Sequence, residues 1–140
     1  MTGRVLALDV GKKRIGLAVS DPLGITAQGL QTLERSRIRD DLDQLKRIAA
    51  ERDVRQLLVG RPLHMSGSES RQEVYTREFA ERLGRHLGLP VVYWDERLTS
   101  AEAERALHEG RATLEERKRA VDRMAAVLLL QSYLDTVSDL

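Results

Sequence analysis

From Val5 to Val10 the chain is apolar at every position but Asp9, the pattern of a strand covered on both faces. Ile15 to Ser20 repeats it beyond a turn opened by Gly11, which predicts a hairpin partner. Gly24-Ile25-Thr26 opens a third strand toward Leu33, so the first third of the chain reads as a three-stranded antiparallel meander. At Ser36 the period changes: Ile38, Leu42, Leu45, Ile48 and Ala49 recur at helical spacing, and Gln56 to Gly60 follows as a short buried strand. Arg61 to Ser70, R-P-L-H-M-S-G-S-E-S, has no apolar period and many turn formers, and reads as an exposed loop. Ser70 and Glu73 have capping-box spacing ahead of the stripe Tyr75, Phe79, Leu83 and Leu87, and Gly88 ends that helix. After Pro90 comes a fifth strand, Val91 to Trp94, which runs into D-E-R-L-T-S. Thr99 and Glu102 make a second capping box for a helix toward His108 and Gly110, and Ala120 to Asp135 predicts a last, strongly apolar helix.

Three paired strands followed by alternating helices and strands predict an α/β domain: a mixed five-stranded sheet with helices packed on it. With 140 residues, 41% of them hydrophobic, the whole chain, 1–140, fits one domain able to bury its own core. The formal charge of +1 removes bulk basicity as a source of polyanion affinity, which must then be concentrated locally. The absence of cysteine excludes disulfides, thiolate zinc sites and cysteine nucleophiles. No apolar run approaches the roughly 18 residues of a membrane span and no secretory leader is evident, so a cytoplasmic location and no membrane partner are expected.

The acidic residues of interest fall at strand ends and helix starts, where α/β sheets gather their ligands. Asp9 ends the first strand, Asp95 and Glu96 end the fifth, and Asp122 shares a helical face with Ala126, Leu129 and Tyr133. Each has a structural explanation when taken alone. Asp9 before Gly can cap a turn, Asp95 and Glu96 can pair with Arg97, and Asp122 can favour the helix dipole or pair with Arg119 or Arg123. Their coincidence with Lys12, Lys13, Arg14, Arg61 and Arg97 in the intervening loops points instead to one acidic centre flanked by phosphate-binding cations. Oxygen-only donors select hard cations, Mg²⁺ or Mn²⁺, and two such ions support phosphodiester cleavage. His64, His86 and His108 lack metal-ligand spacing. Alternation along the strand sends Asp95 and Glu96 to opposite faces, and which of them meets Asp9 stays open at this level.

At these residues the chain resembles the YqgF/RuvX family of RNase H-like proteins, described both as Holliday junction resolvases and as pre-16S ribosomal RNA nucleases. Four motifs carry the resemblance: D-V-G-K-K-R-I-G-L-A-V-S-D from Asp9, V-G-R-P-L-H-M-S-G-S-E from Val59, D-E-R-L-T-S-A-E-A-E from Asp95, and V-D-R-M-A-A-V-L-L-L-Q-S-Y-L-D from Val121. It implies an RNase H-like fold and a metal-binding catalytic triad on Asp9, Glu96 and Asp122, Glu96 being chosen because related resolvases use a glutamate at this strand end. Lys12, Lys13, Arg14, Arg61, His64 and Arg97 are the implied substrate contacts. The second motif departs from the family's commoner pattern, with Arg61 in place of Leu, and His64 and Ser66 in place of Asn and Asp. The implied activity is a metal-dependent hydrolase of ester bonds, cutting RNA in pre-16S maturation or, alternatively, four-way DNA junctions. A non-catalytic nucleic-acid-binding factor is a third reading. Phosphotransfer from ATP is set aside because 140 residues supply one lobe and no second D-x-G hairpin. No heptad seam or long apolar edge commits a surface to dimerisation, so a monomer or weak homodimer is expected.

Overall fold

The computed structural model describes residues 3–61, 70–95 and 114–138. Nine elements follow in order: β1 (Arg4–Val10), β2 (Arg14–Ser20), β3 (Ala27–Gly29), β4 (Leu33–Glu34), α1 (Ile38–Glu51), β5 (Val54–Arg61), α2 (Arg71–Leu87), β6 (Val91–Asp95) and α3 (Leu114–Ser138). The sheet runs β3-β2-β1-β5-β6, with β4 also paired to β2. The β1–β2 and β2–β3 pairs are antiparallel, and β1–β5 and β5–β6 are parallel. The mixed α/β architecture is the one expected from the pattern.

The expected third strand divides in two, which gives six strands in place of five. Ala18 pairs with Gly29, but Ile15 pairs with Leu33, so the register steps by one residue between them. An inserted residue breaks a ladder and bends the strand, and period-two alternation does not reveal it. The first helix also starts later than Ser36, at Ile38. The helix from Thr99 and most of the Arg61–Ser70 loop lie outside the described residues.

Alternation along each strand sorts the core into two layers. Leu6, Leu8 and Val10 of β1 pack with Leu42, Leu45 and Ala49 of α1 and with Phe79, Ala80 and Leu83 of α2. Val5 and Ala7 face the other way, against Ala126, Leu129, Leu130 and Leu134 of α3. Each fully buried leucine contributes about 1.5–3 kcal/mol of transfer free energy, so both layers hold their helices firmly. Asp9 follows the odd-numbered positions of β1 and therefore stands on the α3 side of the sheet. Gly88 ends α2 in the left-handed region at φ 68°, where glycine carries no Cβ penalty. No helix among the described residues is long and apolar enough to cross a membrane.

Candidate active site

Asp9 and Gly16 face each other across the β1–β2 pair. A Cβ built at Gly16 would lie 2.0 Å from the main-chain oxygen of Asp122 and 2.6 Å from its carbonyl carbon. Only a residue without a side chain lets the first turns of α3 settle here, directly beside the strand position that carries Asp9. The apolar stripe of α3 then determines its rotation, and Asp122 turns inward with the stripe. Trp94 of β6 packs edge-on against Tyr133, with ring centroids 5.2 Å apart, and Gln56 donates to the Tyr133 hydroxyl at 2.9 Å. These contacts hold the far half of α3 in register.

The Asp122 carboxyl is half-buried, and burial is the main influence raising its pKa above the ordinary value of 3.8. The hydrogen bond from Arg14 opposes the rise, and the nearby charge of Asp9 adds to it. Arg14 donates from Nε to Asp122 Oδ2 at 3.2 Å and is itself only 13% exposed. Asp9, Asp122 and the more exposed Glu34, 4.0 Å from Arg14, therefore gather around one guanidinium at the end of β1, where a partly desolvated carboxylate without a cation would be costly.

Arg14, expected as a substrate contact, is instead engaged with Asp122 and Glu34; the other expected site residues divide by position. Lys12 and Lys13 are exposed in the β1–β2 turn, next to the acids. Arg61 ends β5 on the opposite, α2 side of the sheet, where its guanidinium donates to the buried Glu73. Glu73 thus completes only half of the expected capping box: Ser70 Oγ accepts from the Glu73 amide at 3.0 Å, while the Glu73 carboxylate turns to Arg61. His64, Glu96 and Arg97 lie outside the described residues. The described residues assemble no group of three metal-binding side chains; of the expected acids they bring together Asp9 and Asp122, with Glu34 close enough to act on Asp122 as well.

A support behind the site escaped the sequence analysis. Asp41 is fully buried, accepting from Arg35 Nε at 2.9 Å and from the Ser36 amide and hydroxyl at 3.0 and 3.1 Å. The same arginine donates to the Gly11 carbonyl at 3.0 Å and the Tyr75 hydroxyl at 2.8 Å, and sits 4.6 Å from the Phe79 ring centroid. Gln72 donates to the Val10 carbonyl at 3.2 Å. The turn after Asp9 is thus clamped from α1 and α2 together. Arg35 and Asp41 look like ordinary polar residues before and inside a helix; the one available signal is that Asp41 precedes Leu42 on the buried side of the helical period.

A family profile described as RuvX, Holliday junction resolvase, matches residues 3–136. The chain belongs to the RuvX family. A relative from Koribacter versatilis named "Putative pre-16S rRNA nuclease" is 53% identical over 133 residues, covering 95% of this chain and 87% of its own. One of the same name from Clostridium novyi is 46% identical and covers 96% of this chain and 99% of its own. The RuvC structure of Thermus thermophilus has the same fold at a TM-score of 0.58 and 16% identity, over 97% of this chain and 96% of that one. A fowlpox virus resolvase solved with Holliday junction DNA aligns at a TM-score of 0.56 and 10% identity, over 96% and 98%. The RNase H-like fold expected for this RuvX chain is the fold observed, and the chain is an enzyme of the nuclease class, a hydrolase of ester bonds.

Proposed function

We propose that this RuvX protein is a divalent-metal-dependent nuclease acting on RNA in the 5′-end maturation of pre-16S ribosomal RNA, with Asp9, Glu96 and Asp122 as its catalytic, metal-holding acids. The observation that carries the reading is the convergence of Asp9 and Asp122 over the bare backbone of Gly16. A donor set of carboxylate oxygens fits Mg²⁺ or Mn²⁺. Two bound ions would supply a water activated at neutral pH and neutralise charge on the leaving oxygen. Asp9 and Asp122 project from a central strand and a packed helix, so their spacing is held by backbone. Arg14 orients Asp122 and balances its charge. Lys12 and Lys13 would hold phosphates of the substrate next to the acids, with His64 and Arg97 as further proposed contacts, whereas Arg61, turned to Glu73 on the other side of the sheet, is not at the acids.

Alternation supports Glu96 over Asp95 as the third acid. Val91 and Tyr93 pack in the α1–α2 layer, and Val92 and Trp94 in the α3 layer. Asp95 follows Val91 and Tyr93, away from Asp9, which favours its neighbour in the sequence for the role.

RNA is favoured because the curated relatives carry the name of an rRNA nuclease. The family description and the resolvase folds supply the rival, a four-way DNA junction. Symmetric junction cutting needs two sites related by a two-fold axis, whereas trimming RNA needs one, so a cytoplasmic monomer is the expected form. The test compares labelled single-stranded RNA and a labelled junction under one salt and metal condition, with the solution mass measured alongside. Metal-dependent RNA cleavage by a monomer, abolished in Asp9→Asn and Asp122→Asn, is the expected result. A fully active Asp9→Asn protein overturns the acid assignment, and a stable dimer that nicks only the junction in symmetric pairs overturns the choice of RNA.

A further inference from the structure

On the far side of the sheet from Asp9, α1 and the C-terminal half of α2 enclose a groove of about 610 Å³ lined by Arg39, Leu42, Arg82, Arg85 and His86. The three arginines are exposed and have no carboxylate partner among the described residues. Such partners stand at helical spacing: Asp43 four residues after Arg39, Glu78 four before Arg82 and Glu81 four before Arg85. Asp43 instead meets His86, its Oδ1 lying 2.9 Å from Nε2. Three guanidiniums from two helices are therefore left facing one cavity, each with a planar set of donors suited to a phosphate or carboxylate.

Leu42 at the floor of the groove is 4% exposed, and the exposed large hydrophobic residues, Leu23, Ile25 and Val137, lie elsewhere. Beside its arginines the groove offers a protein partner no exposed apolar or aromatic anchor. A polyanion recognised through its backbone needs none. We infer that this groove is a second phosphodiester-binding site, which grips part of a long nucleic acid away from the catalytic acids. The ligand class rests on the nuclease reading above; the site shares no residue with it. A helix layer roughly 10 Å thick and the sheet separate the groove from Asp9, so a substrate must pass round the edge of the molecule to touch both. A hexanucleotide at the acids would not.

The test measures binding by the full chain in the presence of chelator, so that cleavage plays no part, with a long structured RNA and a single-stranded hexanucleotide. The Arg39→Ala/Arg82→Ala/Arg85→Ala variant should bind the long RNA on the order of tenfold more weakly, with a salt slope smaller by roughly two to three. With metal restored it should cleave the hexanucleotide as wild type does, and Arg82→Lys/Arg85→Lys should retain the slope. Unchanged affinity and slope for the long RNA overturn the groove and leave the nuclease reading intact. Groove-dependent binding by a protein that never cleaves would fault the nuclease reading alone. Poly-glutamate competing as well as RNA for the groove overturns the phosphodiester assignment.

Discussion

At Asp122 burial and a neighbouring carboxylate both act against ionisation, and the hydrogen bond from Arg14 opposes them. Because the folded pKa lies above the unfolded value near 3.8, the unfolded chain loses this proton first. Stability contributed by the protonated form is present below that value and declines as pH rises through it toward the raised one, and the penalty remains in full at neutral pH. In metal-free protein Asp122→Asn should therefore remove this decline and leave the Tm at pH 7 unchanged or higher by a few degrees, about the effect of 1 kcal/mol. Thermal melts in chelator between pH 3 and 8 check this. An Asp122→Asn protein that melts well below wild type at pH 7 would mean that the Arg14 pair outweighs the cost of burying the acid. The same variant should be inactive, the outcome that the proposed metal-holding role of Asp122 requires.

The contact of α3 with β2 converts element packing into site geometry. A methyl group at residue 16 would collide with main-chain atoms of Asp122, which no side-chain rotation relieves. Gly16→Ala should cost about 3 kcal/mol, at the upper end for overpacking, read as a lower urea midpoint with little change in m. Cleavage should fall on the order of a hundredfold, the effect of a displacement near 1 Å between catalytic groups, although every proposed catalytic side chain is still present. Wild-type activity in a stable Gly16→Ala protein would detach Asp122 from the chemistry.

Across the whole molecule, the buried Arg35–Asp41 pair ties the turn after Asp9 to both helices of the opposite layer. Arg35→Met leaves the fully buried Asp41 carboxyl without its guanidinium, and should cost about 3–5 kcal/mol in urea unfolding. Replacing Asp41 as well, in Arg35→Met/Asp41→Leu, should recover part of that loss, because the uncompensated carboxyl goes with it. Additive losses would show instead that the two residues act separately. The pair lies outside the acidic centre, yet it holds the turn that carries Lys12 and Lys13.

The one-dimensional pattern determined the order of the described strands and helices apart from the split third strand, the α/β class and the stripe that turns Asp122 toward the sheet, because periodicity and burial are coupled through local geometry. Motifs also pointed to Asp9 and Asp122 and to the family. Tertiary structure decided what depends on distance between remote segments. The one-residue register step that splits the third strand is invisible to alternation, since both halves keep the same period. The role of Gly16 arises only when α3, over a hundred residues later in the chain, lies against it. Arg61 reads as a free cation until α2 brings Glu73 beneath it. The facing of Asp95 was undecidable until packing assigned Tyr93 and Trp94 to opposite layers. In each case the sequence specifies what a residue can do, and the partner that selects among those options is supplied by the fold.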